Sequence, residues 1–439
     1  MKNILIYISA IVSLAGCKKT TDRAFDQSPD QRLNALLANY QAQLSGAATG
    51  WKGVIISDNG KGAAYGFYFK FNDQNRVTMY SDFNSSFATT PKESSYRLKA
   101  QQQISLLFDT YSYIHVLADP DPDVADGALG EGYSVDFEFN FDEGSSNDTI
   151  KLVGRKYGNR ALLVRATQQE AAAYASGGMD DGIVFNNYGS ILQYWKVVTV
   201  GGVNYQLTID SSSHSISVAW KDGGGTSHVV NTHYYYTSLG ISFADAIVNG
   251  STVITGFTNI AWNAGPRTVS VTVNGTAATI AGAANPVYVD TEAGPRWWQY
   301  AFDRNSYWRS FTGFHINGAD DGYGVTSLVT STGSFLYYMY FPGYYSDPAD
   351  VFAPVMLNNN SALLNAYYTV PAPPVFRTDG RAVFTPLGDL GSIPVNGPVD
   401  RSNALLYNAS GFYLVQTGPA SYDMVSVADS KNWIGWEFF

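Results

Sequence analysis

The sequence has very little cysteine and few charged residues for its length. One cysteine among 439 residues excludes an internal disulfide, a cysteine-rich metal site and a relay between two thiols. Lysine and arginine together number 27, and no run of them is longer than the pair Lys18 and Lys19. Binding to nucleic acid needs a basic stripe that neutralises phosphates. With a net charge of −10, the chain is not expected to bind nucleic acid.

Glutamate is also scarce, whereas aspartate and aromatic residues are abundant. The chain has 7 Glu against 30 Asp, and it contains 9 Trp, 31 Tyr and 24 Phe. Glutamate favours helices and aspartate favours turns, while aromatic side chains suit the half-buried surface of a sheet. The composition therefore predicts an all-β protein of mainly antiparallel sheets, arranged as sandwiches or barrels.

The motifs of common catalytic and metal sites are absent as well. The sequence has no His-Glu-x-x-His pair, no Gly-x-Ser-x-Gly elbow and no glycine-rich phosphate loop before a helix. His228 and His233 are five residues apart, so they face opposite sides of a strand and make a poor zinc pair. Residues 119–126 resemble a calcium loop but lack its glycine and its final glutamate, and an acidic turn explains them better. We therefore expect no metal and no cofactor.

The N-terminal residues carry a targeting signal. Residues 1–3 are positive and residues 4–16 are mostly apolar, a stretch too short to span a membrane but typical of a signal peptide. It ends on Leu14-Ala15-Gly16-Cys17, which resembles the bacterial lipobox. The resemblance implies that residues 1–16 are removed and that Cys17 is acylated as a lipid anchor. Lys18 follows the cysteine where an inner-membrane lipoprotein tends to have aspartate, so we expect an outer-membrane location, facing the cell surface.

The rest of the chain is predicted to form a tether and two β-rich domains. Residues 17–28 are polar and form the lipidated tether, and residues 29–263 form a β-rich domain with an N-terminal helix. That helix is predicted from the capping box Ser28-Pro29-Asp30-Gln31 and from the leucine stripe that follows it. The residue pattern of the sequence changes near Asn263, so we place a second β-rich domain at residues 264–439. We expect residues 22–263 to fold alone.

Several local predictions are specific enough to compare with a structure. A capping box at Thr167 predicts a second helix. Hairpins are predicted at residues 205–220, and at Asn274-Gly275, because Asn-Gly between alternating runs is a strong hairpin signal. Residues 111–117 are predicted to form a strand.

The segment from Phe25 to about Asn263 resembles domain-of-unknown-function family 4302, a family of cell-surface lipoproteins of Bacteroidota. The resemblance rests on short motifs spread over more than half of the chain: Phe25-Asp26-Gln27-Ser28-Pro29, Arg32-Leu33-Asn34, Gly50-Trp51, Tyr68-Phe69-Lys70-Phe71, Arg76-Val77-Thr78-Met79-Tyr80-Ser81-Asp82, Ser94-Ser95-Tyr96-Arg97-Leu98-Lys99-Ala100, Leu107-Phe108-Asp109-Thr110-Tyr111-Ser112-Tyr113-Ile114-His115 and Asp136-Phe137-Glu138-Phe139. It implies genes that lie near starch-utilisation-type importers of the outer membrane. The partners it implies are the outer membrane, a TonB-dependent importer and the surface binding lipoprotein of that importer. It implies no known activity and no catalytic residue.

Aromatic side chains are the remaining candidates for a ligand site. Trp298, Tyr300 and Trp308 fall within eleven residues of each other, and sugar rings stack on such side chains. If the run from Trp297 to Tyr300 is extended, Trp298 and Tyr300 share a face. The alternative is that all these rings belong to the core.

Three functions remain open at this stage. The first is a non-enzymatic surface lipoprotein that captures a nutrient glycan for an importer. The second is a surface hydrolase of the same polymer, and the third is a structural or adhesive protein. A deep acidic cleft that contains a carboxyl group of raised pKa favours the hydrolase, whereas a shallow shelf of exposed aromatic rings favours binding.

Overall fold

The structure is a computed structural model that describes residues 28–57, 63–100, 103–181, 187–210, 213–344 and 348–439. The predicted signal peptide, Cys17 and the predicted tether as far as residue 27 lie outside these residues. None of the helices in the described ranges is long and apolar enough to cross a membrane.

Two compact units make up the described chain. One comprises the residues up to Trp51 together with Phe69–Met79 and Lys92–Ala166. The other comprises Lys52–Tyr68, Tyr80–Pro91 and Thr167–Phe439.

The helices are short, apart from the first, and both predicted capping boxes are confirmed. At the first helix, the backbone N–H of Gln31 donates to Ser28 Oγ, and the backbone N–H of Ser28 donates to Gln31 Oε1. Thr167 and Glu170 make the same pair of contacts at the predicted second helix. The α-helices are α1 (Pro29–Ser45), α2 (Ser85–Thr89), α3 (Tyr113–Leu117), α4 (Pro122–Ala125), α5 (Gln168–Ala175), α6 (Gly178–Asp181), α7 (Ala293–Phe302) and α8 (Pro398–Leu406), and Val325–Ser327 form a 3-10 helix.

The all-β prediction is confirmed, and the first eight strands close into a barrel in sequence order. They are β1 (Trp51–Ser57), β2 (Ala63–Phe71), β3 (Arg76–Ser81), β4 (Lys92–Ala100), β5 (Ile104–Phe108), β6 (Glu138–Phe141), β7 (Thr149–Gly154) and β8 (Arg160–Arg165).

The next eight strands close a second barrel, in which β9 pairs with both β10 and β16. They are β9 (Trp195–Val200), β10 (Val203–Asp210), β11 (Ser215–Lys221), β12 (Ser227–Thr237), β13 (Gly240–Asn249), β14 (Thr252–Asn263), β15 (Thr268–Val273) and β16 (Thr276–Ala283). The hairpins predicted at residues 205–220 and at Asn274-Gly275 are confirmed as β10–β11 and β15–β16. Alternate side chains such as Tyr205, Val218 and Val271 fill the interior.

The remaining strands form one sheet of 13 strands. They are β17 (Trp308–Ser310), β18 (Phe314–Ile316), β19 (Val329–Thr330), β20 (Gly333–Phe341), β21 (Val351–Asn358), β22 (Ser361–Leu364), β23 (Tyr368–Pro371), β24 (Val375–Phe376), β25 (Arg381–Val383), β26 (Pro386–Leu390), β27 (Phe412–Gly418), β28 (Ser421–Ser426) and β29 (Asn432–Phe438). Helices α7 and α8 contribute Trp297 and Leu406 to the aromatic core on this sheet.

Three local expectations differ from the structure. Residues 113–117 form helix α3 rather than a strand, and they bury Ile114 and Leu117. Trp297 and its neighbours lie on helix α7 rather than in an extended run. The boundary expected after residue 263 falls in the turn between β14 and β15, where Asn263 pairs with Thr268 inside the closed second barrel.

Candidate functional site

A cavity of about 840 Å³ opens against the second barrel. Its walls come from β9 to β13 of that barrel, from Tyr188 and Tyr194 before β9, and from β27 and β28 of the large sheet. All of these residues belong to the second compact unit. The volume lies within the range of about 300–1,000 Å³ that is usual for small-molecule sites.

Six polar side chains share the barrel face of this cavity. Residues that pair across an antiparallel ladder point to the same side of the sheet. In the ladder of β10, β11 and β12, one row is Thr208, Ser217 and Asn231, and the next row is Asp210, Ser215 and His233. Neighbours within a row are about 5 Å apart, and the two rows are about 7 Å apart along the strands. We call these six residues the polar array.

The polar array exists because these strands alternate strictly. Residues next to them in the chain, such as Leu207, Ile216 and Tyr234, face the other side of the strands and are buried. The array offers hydroxyl, amide, carboxylate and imidazole groups in a regular pattern. Such a surface suits a ligand with many hydroxyl groups, because donors and acceptors alternate on both partners.

A second wall of the cavity carries two tyrosines, a lysine and an aspartate. The hydroxyl of Tyr194 donates to Asp423 Oδ2 at 2.8 Å, and that of Tyr188 donates to the backbone oxygen of Leu207 at 2.5 Å. Lys196 Nζ lies 5.3 Å from the ring centroid of Tyr188 and 5.8 Å from that of Tyr194. The two rings are therefore held in place and give this wall an apolar surface.

Burial weakens both charges of this wall. It lowers the pKa of Lys196 to about 8, although the negative charge of Asp423 acts in the opposite direction. Burial also raises the pKa of Asp423 above its ordinary range, against the hydrogen bond from Tyr194 and the charge of Lys196. The wall thus contains an amine and a carboxyl group that can both change protonation more readily than exposed groups.

One buried polar atom of the cavity has no partner. Nδ1 of His233 makes no hydrogen bond within the part of the chain that the structure describes. A buried polar atom without a partner carries a desolvation cost that a bound ligand can remove. His233 is therefore a candidate contact for whatever occupies the cavity.

The structure places the three aromatic residues predicted from the sequence in another region. Trp308 is 0% exposed, and its indole N–H donates to the backbone oxygen of Trp297 at 2.9 Å. Trp298 and Tyr300 lie on α7 and are only partly buried. The indole N–H of Trp298 donates to Asp350 at 2.8 Å, and the guanidinium of Arg304 lies 3.7 Å from the ring centroid of Tyr300. Trp308 thus fits the core alternative, whereas Trp298 and Tyr300 still present part of their rings to solvent.

The polar array was not predicted from the sequence. Its signal is the alternation of polar residues in Thr208 and Asp210, in Ser215 and Ser217, and in Asn231 and His233. That pattern is also typical of any strand with one face in water. Only the cavity wall formed by β27 and β28, more than 150 residues later in the chain, distinguishes it.

The acidic run at residues 119–126 contains the short helix α4 and the residues that lead into it. Asp119 Oδ1 accepts the backbone N–H of Asp121 at 3.0 Å, and Asp121 Oδ1 accepts that of Asp123 at 3.0 Å, at the start of α4. Over the described ranges, no group of three or more histidine, cysteine, aspartate or glutamate side chains is arranged to hold a metal ion.

Comparison with known proteins gives a family match and little else. Residues 21–263 match the sequence model of a family described as a domain of unknown function, DUF4302. None of the curated proteins matches the chain. The match ends at the last residue of β14, so β15 and β16 of the second barrel lie beyond it.

Crystal structures of DNA polymerase sliding clamps align with most of the chain at low similarity. The clamp from Pseudomonas aeruginosa is 6% identical, covers 93% of this chain and 98% of its own, and has a TM-score of 0.15. A putative DNA polymerase III beta subunit from Eubacterium rectale is 8% identical, with coverages of 91% and 96% and a TM-score of 0.18. TM-scores this low carry no argument about fold or function.

Proposed function

The chain belongs to the family described as the domain of unknown function DUF4302, and from this premise we propose that it is a non-enzymatic surface lipoprotein that captures a glycan. Its anchor is the acylated Cys17 in the outer membrane. Its partners are a TonB-dependent importer and the surface binding lipoprotein of that importer, to which it supplies the captured nutrient. The resemblance of residues 14–17 to a lipobox supports the location, and the cavity supports the binding.

The observation that carries the proposal is the polar array beside two fixed tyrosine rings. Neutral sugars present hydroxyl groups on their edges and apolar C–H groups on their faces, so they need both kinds of surface. The cavity supplies both within about 840 Å³. Its size suits a short stretch of a glycan chain.

A glycan array probed with the purified protein tests this proposal. We expect binding to a restricted set of oligosaccharides, and we expect Ser217→Trp to abolish it, because the indole covers the middle strand of the polar array. Ser251→Trp is the matched control, because Ser251 is exposed in the turn between β13 and β14 of the same barrel and does not line the cavity. Binding that survives Ser217→Trp, or an array with no binding at all, contradicts the proposal.

Hydrolysis of the same glycan is a second candidate, and one observation favours it. Asp423 is a cavity carboxyl group with a raised pKa, as a general acid requires. Asp210 and Asp245 line the same cavity and are candidates for the second carboxylate. Incubation of each array ligand with the protein, followed by mass analysis for shortened products, tests this candidate. Shortened products that no longer form with Asp423→Asn support hydrolysis. If all ligands stay intact, the protein binds the glycan without hydrolysing it.

A further inference from the structure

An arginine without an acceptor lies on one face of the large sheet. Arg309 is half-buried in β17, and its guanidinium carbon lies 5.0 Å from the ring centroid of Phe311 and 5.5 Å from that of Phe439. Its Nε is buried and has no hydrogen-bond partner among the described residues. Within the same ranges the side chain makes neither a hydrogen bond nor an ion pair. A guanidinium has five N–H donors, so this one can still bind an acceptor.

The two rings beside this arginine are open to solvent. Phe439 is 59% exposed and Phe311 is 46% exposed. Tyr307 stacks on Phe439 with ring centroids 4.7 Å apart, and Phe311 makes a T-shaped contact with Tyr337 at 6.0 Å. These contacts, and the attraction between the cation and the rings, hold the rings beside the guanidinium. We call Tyr307, Arg309, Phe311 and Phe439 the aromatic shelf.

The aromatic shelf lies outside the cavity, but on the same face of the sheet as part of its wall. Asp423 of the wall pairs with Gly435 on β29, and Glu437, two residues further along, pairs with Arg309. Paired residues, and alternate residues of one strand, point to the same side of a sheet. Arg309 therefore points to the same side as Asp423, two strand spacings or about 10 Å away across the sheet.

One negative charge lies next to the arginine. Glu437 is exposed and lies directly across the ladder from Arg309, yet the two side chains make no ion pair in the described part of the chain. The guanidinium lies against Phe311 and Phe439 instead. Glu437 therefore leaves the donors of Arg309 available, although its charge weakens the attraction for an anion.

We propose that the aromatic shelf is a second sugar site, which binds a sugar unit that carries a carboxylate group, a uronic acid. The planar fork of an arginine matches the two oxygens of a carboxylate. The apolar C–H face of the same sugar stacks on an exposed phenylalanine ring. A neutral sugar leaves the arginine without a charged acceptor, and a simple anion leaves the rings in water, so a uronic acid uses more of the shelf than either. This inference goes beyond the proposed function, because it needs no ligand in the cavity.

The test compares sugars that differ only in charge. Titration calorimetry at neutral pH, where carboxyl groups are ionised, measures the binding of tetramers of galacturonate, glucuronate and mannuronate to the full protein, each beside its methyl ester. We expect at least one charged tetramer to bind about tenfold tighter than its ester, as one charge-assisted pair allows. The difference shrinks as salt is added, because the site is open to solvent. If no charged tetramer binds tighter than its ester, the inference fails.

Three variants locate the carboxylate and the sugar ring. Arg309→Gln brings the charged tetramer to the level of its ester, whereas Phe311→Ala weakens both by about fivefold. Glu437→Gln strengthens the binding of the charged tetramer alone, by about twofold. Arg401→Gln is the matched control and should bind like the native protein, because Arg401 also packs on a ring, 5.2 Å from the centroid of Tyr323, but belongs to α8. If Arg309→Gln keeps the preference for the charged tetramer, the assignment to the shelf is wrong.

Further outcomes separate the aromatic shelf from the cavity. Ser217→Trp should keep the preference for the charged tetramer, and its loss in that variant would place the carboxylate in the cavity and overturn the inference. If charged tetramers bind but neutral glycans do not, glycan capture by the cavity fails and the shelf stands. A tetraglutamate peptide that binds as tightly as the charged tetramers would show that the shelf recognises an acidic peptide rather than a sugar.

Discussion

The buried carboxyl group of Asp82 is expected to make the stability of the protein depend on pH. Asp82 is 7% exposed; its Oδ2 accepts the backbone N–H of Tyr236 at 2.8 Å, and its Oδ1 has no partner among the described residues. Burial raises its pKa from 3.8 to about 7, against the hydrogen bonds it accepts. Gly66 cannot be replaced by a residue with a side chain, because an added Cβ would lie 2.4 Å from the backbone oxygen of Tyr236.

We expect Asp82→Asn to stabilise the protein at high pH. The folded state binds the proton of Asp82 more tightly than the unfolded state does, so this group favours folding fully below pH 3.8 and loses that contribution as the pH rises through about 7. Asparagine resembles the protonated group at every pH. The gain in unfolding free energy is therefore small near pH 4 and reaches at most about 4 kcal/mol above pH 8. Urea unfolding across this pH range measures it.

The control for this prediction is Asp73→Asn, at an exposed position in the turn after β2. Its effect on stability should change little with pH. Equal stability of the native protein and Asp82→Asn at both ends of the range would show that Asp82 is ionised at no cost.

A second prediction at the residue scale concerns Trp298 and Trp308, two of the aromatic residues predicted from the sequence to bind a sugar. Trp308→Ala removes a fully buried ring that packs against Trp297 and Tyr422, so we expect a loss of about 3–5 kcal/mol in unfolding free energy. Trp298→Phe keeps a ring that can stack on Phe302 but removes the hydrogen bond to buried Asp350, at a cost of about 1–3 kcal/mol. Thermal unfolding followed by circular dichroism compares the two. A Trp308→Ala protein with an unchanged melting temperature contradicts the core assignment.

At the scale of elements, the sequence predicts helix starts and turns correctly where neighbouring residues make the hydrogen bonds that the backbone needs. The capping boxes at Ser28 and Thr167 and the Asn-Gly turn at Asn274 are such cases. Helix α7 is not predicted from the sequence, because its N-terminus has no side-chain cap and a run of aromatic residues also suits a strand. A helical signal was present, since Ala293, Trp297 and Ala301 recur every four residues and are all buried.

Other elements could not be predicted because distant residues decide them. Helix α3 contains the β-branched Ile114 and Val116, which favour a strand locally, yet both are buried in a helix. The polar array has an ordinary strand pattern, and its cavity depends on β27 and β28. Elements that depend on nearby residues can thus be predicted from the sequence. The candidate site cannot, because it is formed by strands that are far apart in the chain.

The closure of the second barrel gives a prediction about elements. A chain that ends at residue 263 lacks β15 and β16, which contribute the buried residues Val269, Val271, Val273 and Ile280. Burial of four such side chains is worth roughly 6–12 kcal/mol, comparable to the whole stability of a typical domain. We therefore expect a fragment of residues 22–263 to aggregate or to unfold without cooperativity, contrary to the expectation from sequence that it folds alone.

The matched control keeps every strand and breaks the same turn. A protease site inserted between residues 264 and 267 gives a nicked protein that retains β15 and β16. We expect its two pieces to stay associated on gel filtration with unchanged circular dichroism. A soluble fragment of residues 22–263 with a cooperative melt would instead restore the boundary at residue 263.

At the scale of the whole molecule, attachment to the membrane and folding should be separable. The first described helix begins at Pro29, and the residues that build both barrels and the large sheet all follow it. Several acyl chains on one cysteine give stable anchoring where a single chain is marginal. We therefore expect Cys17→Ala to leave the melting temperature unchanged while the protein moves from the membrane fraction to the soluble fraction. Lys18→Ala, which keeps the cysteine, is the control and should remain in the membrane after a carbonate wash. A Cys17→Ala protein that resists the same wash must be held by a surface of the folded chain, and the anchor proposed for Cys17 is then not what attaches it.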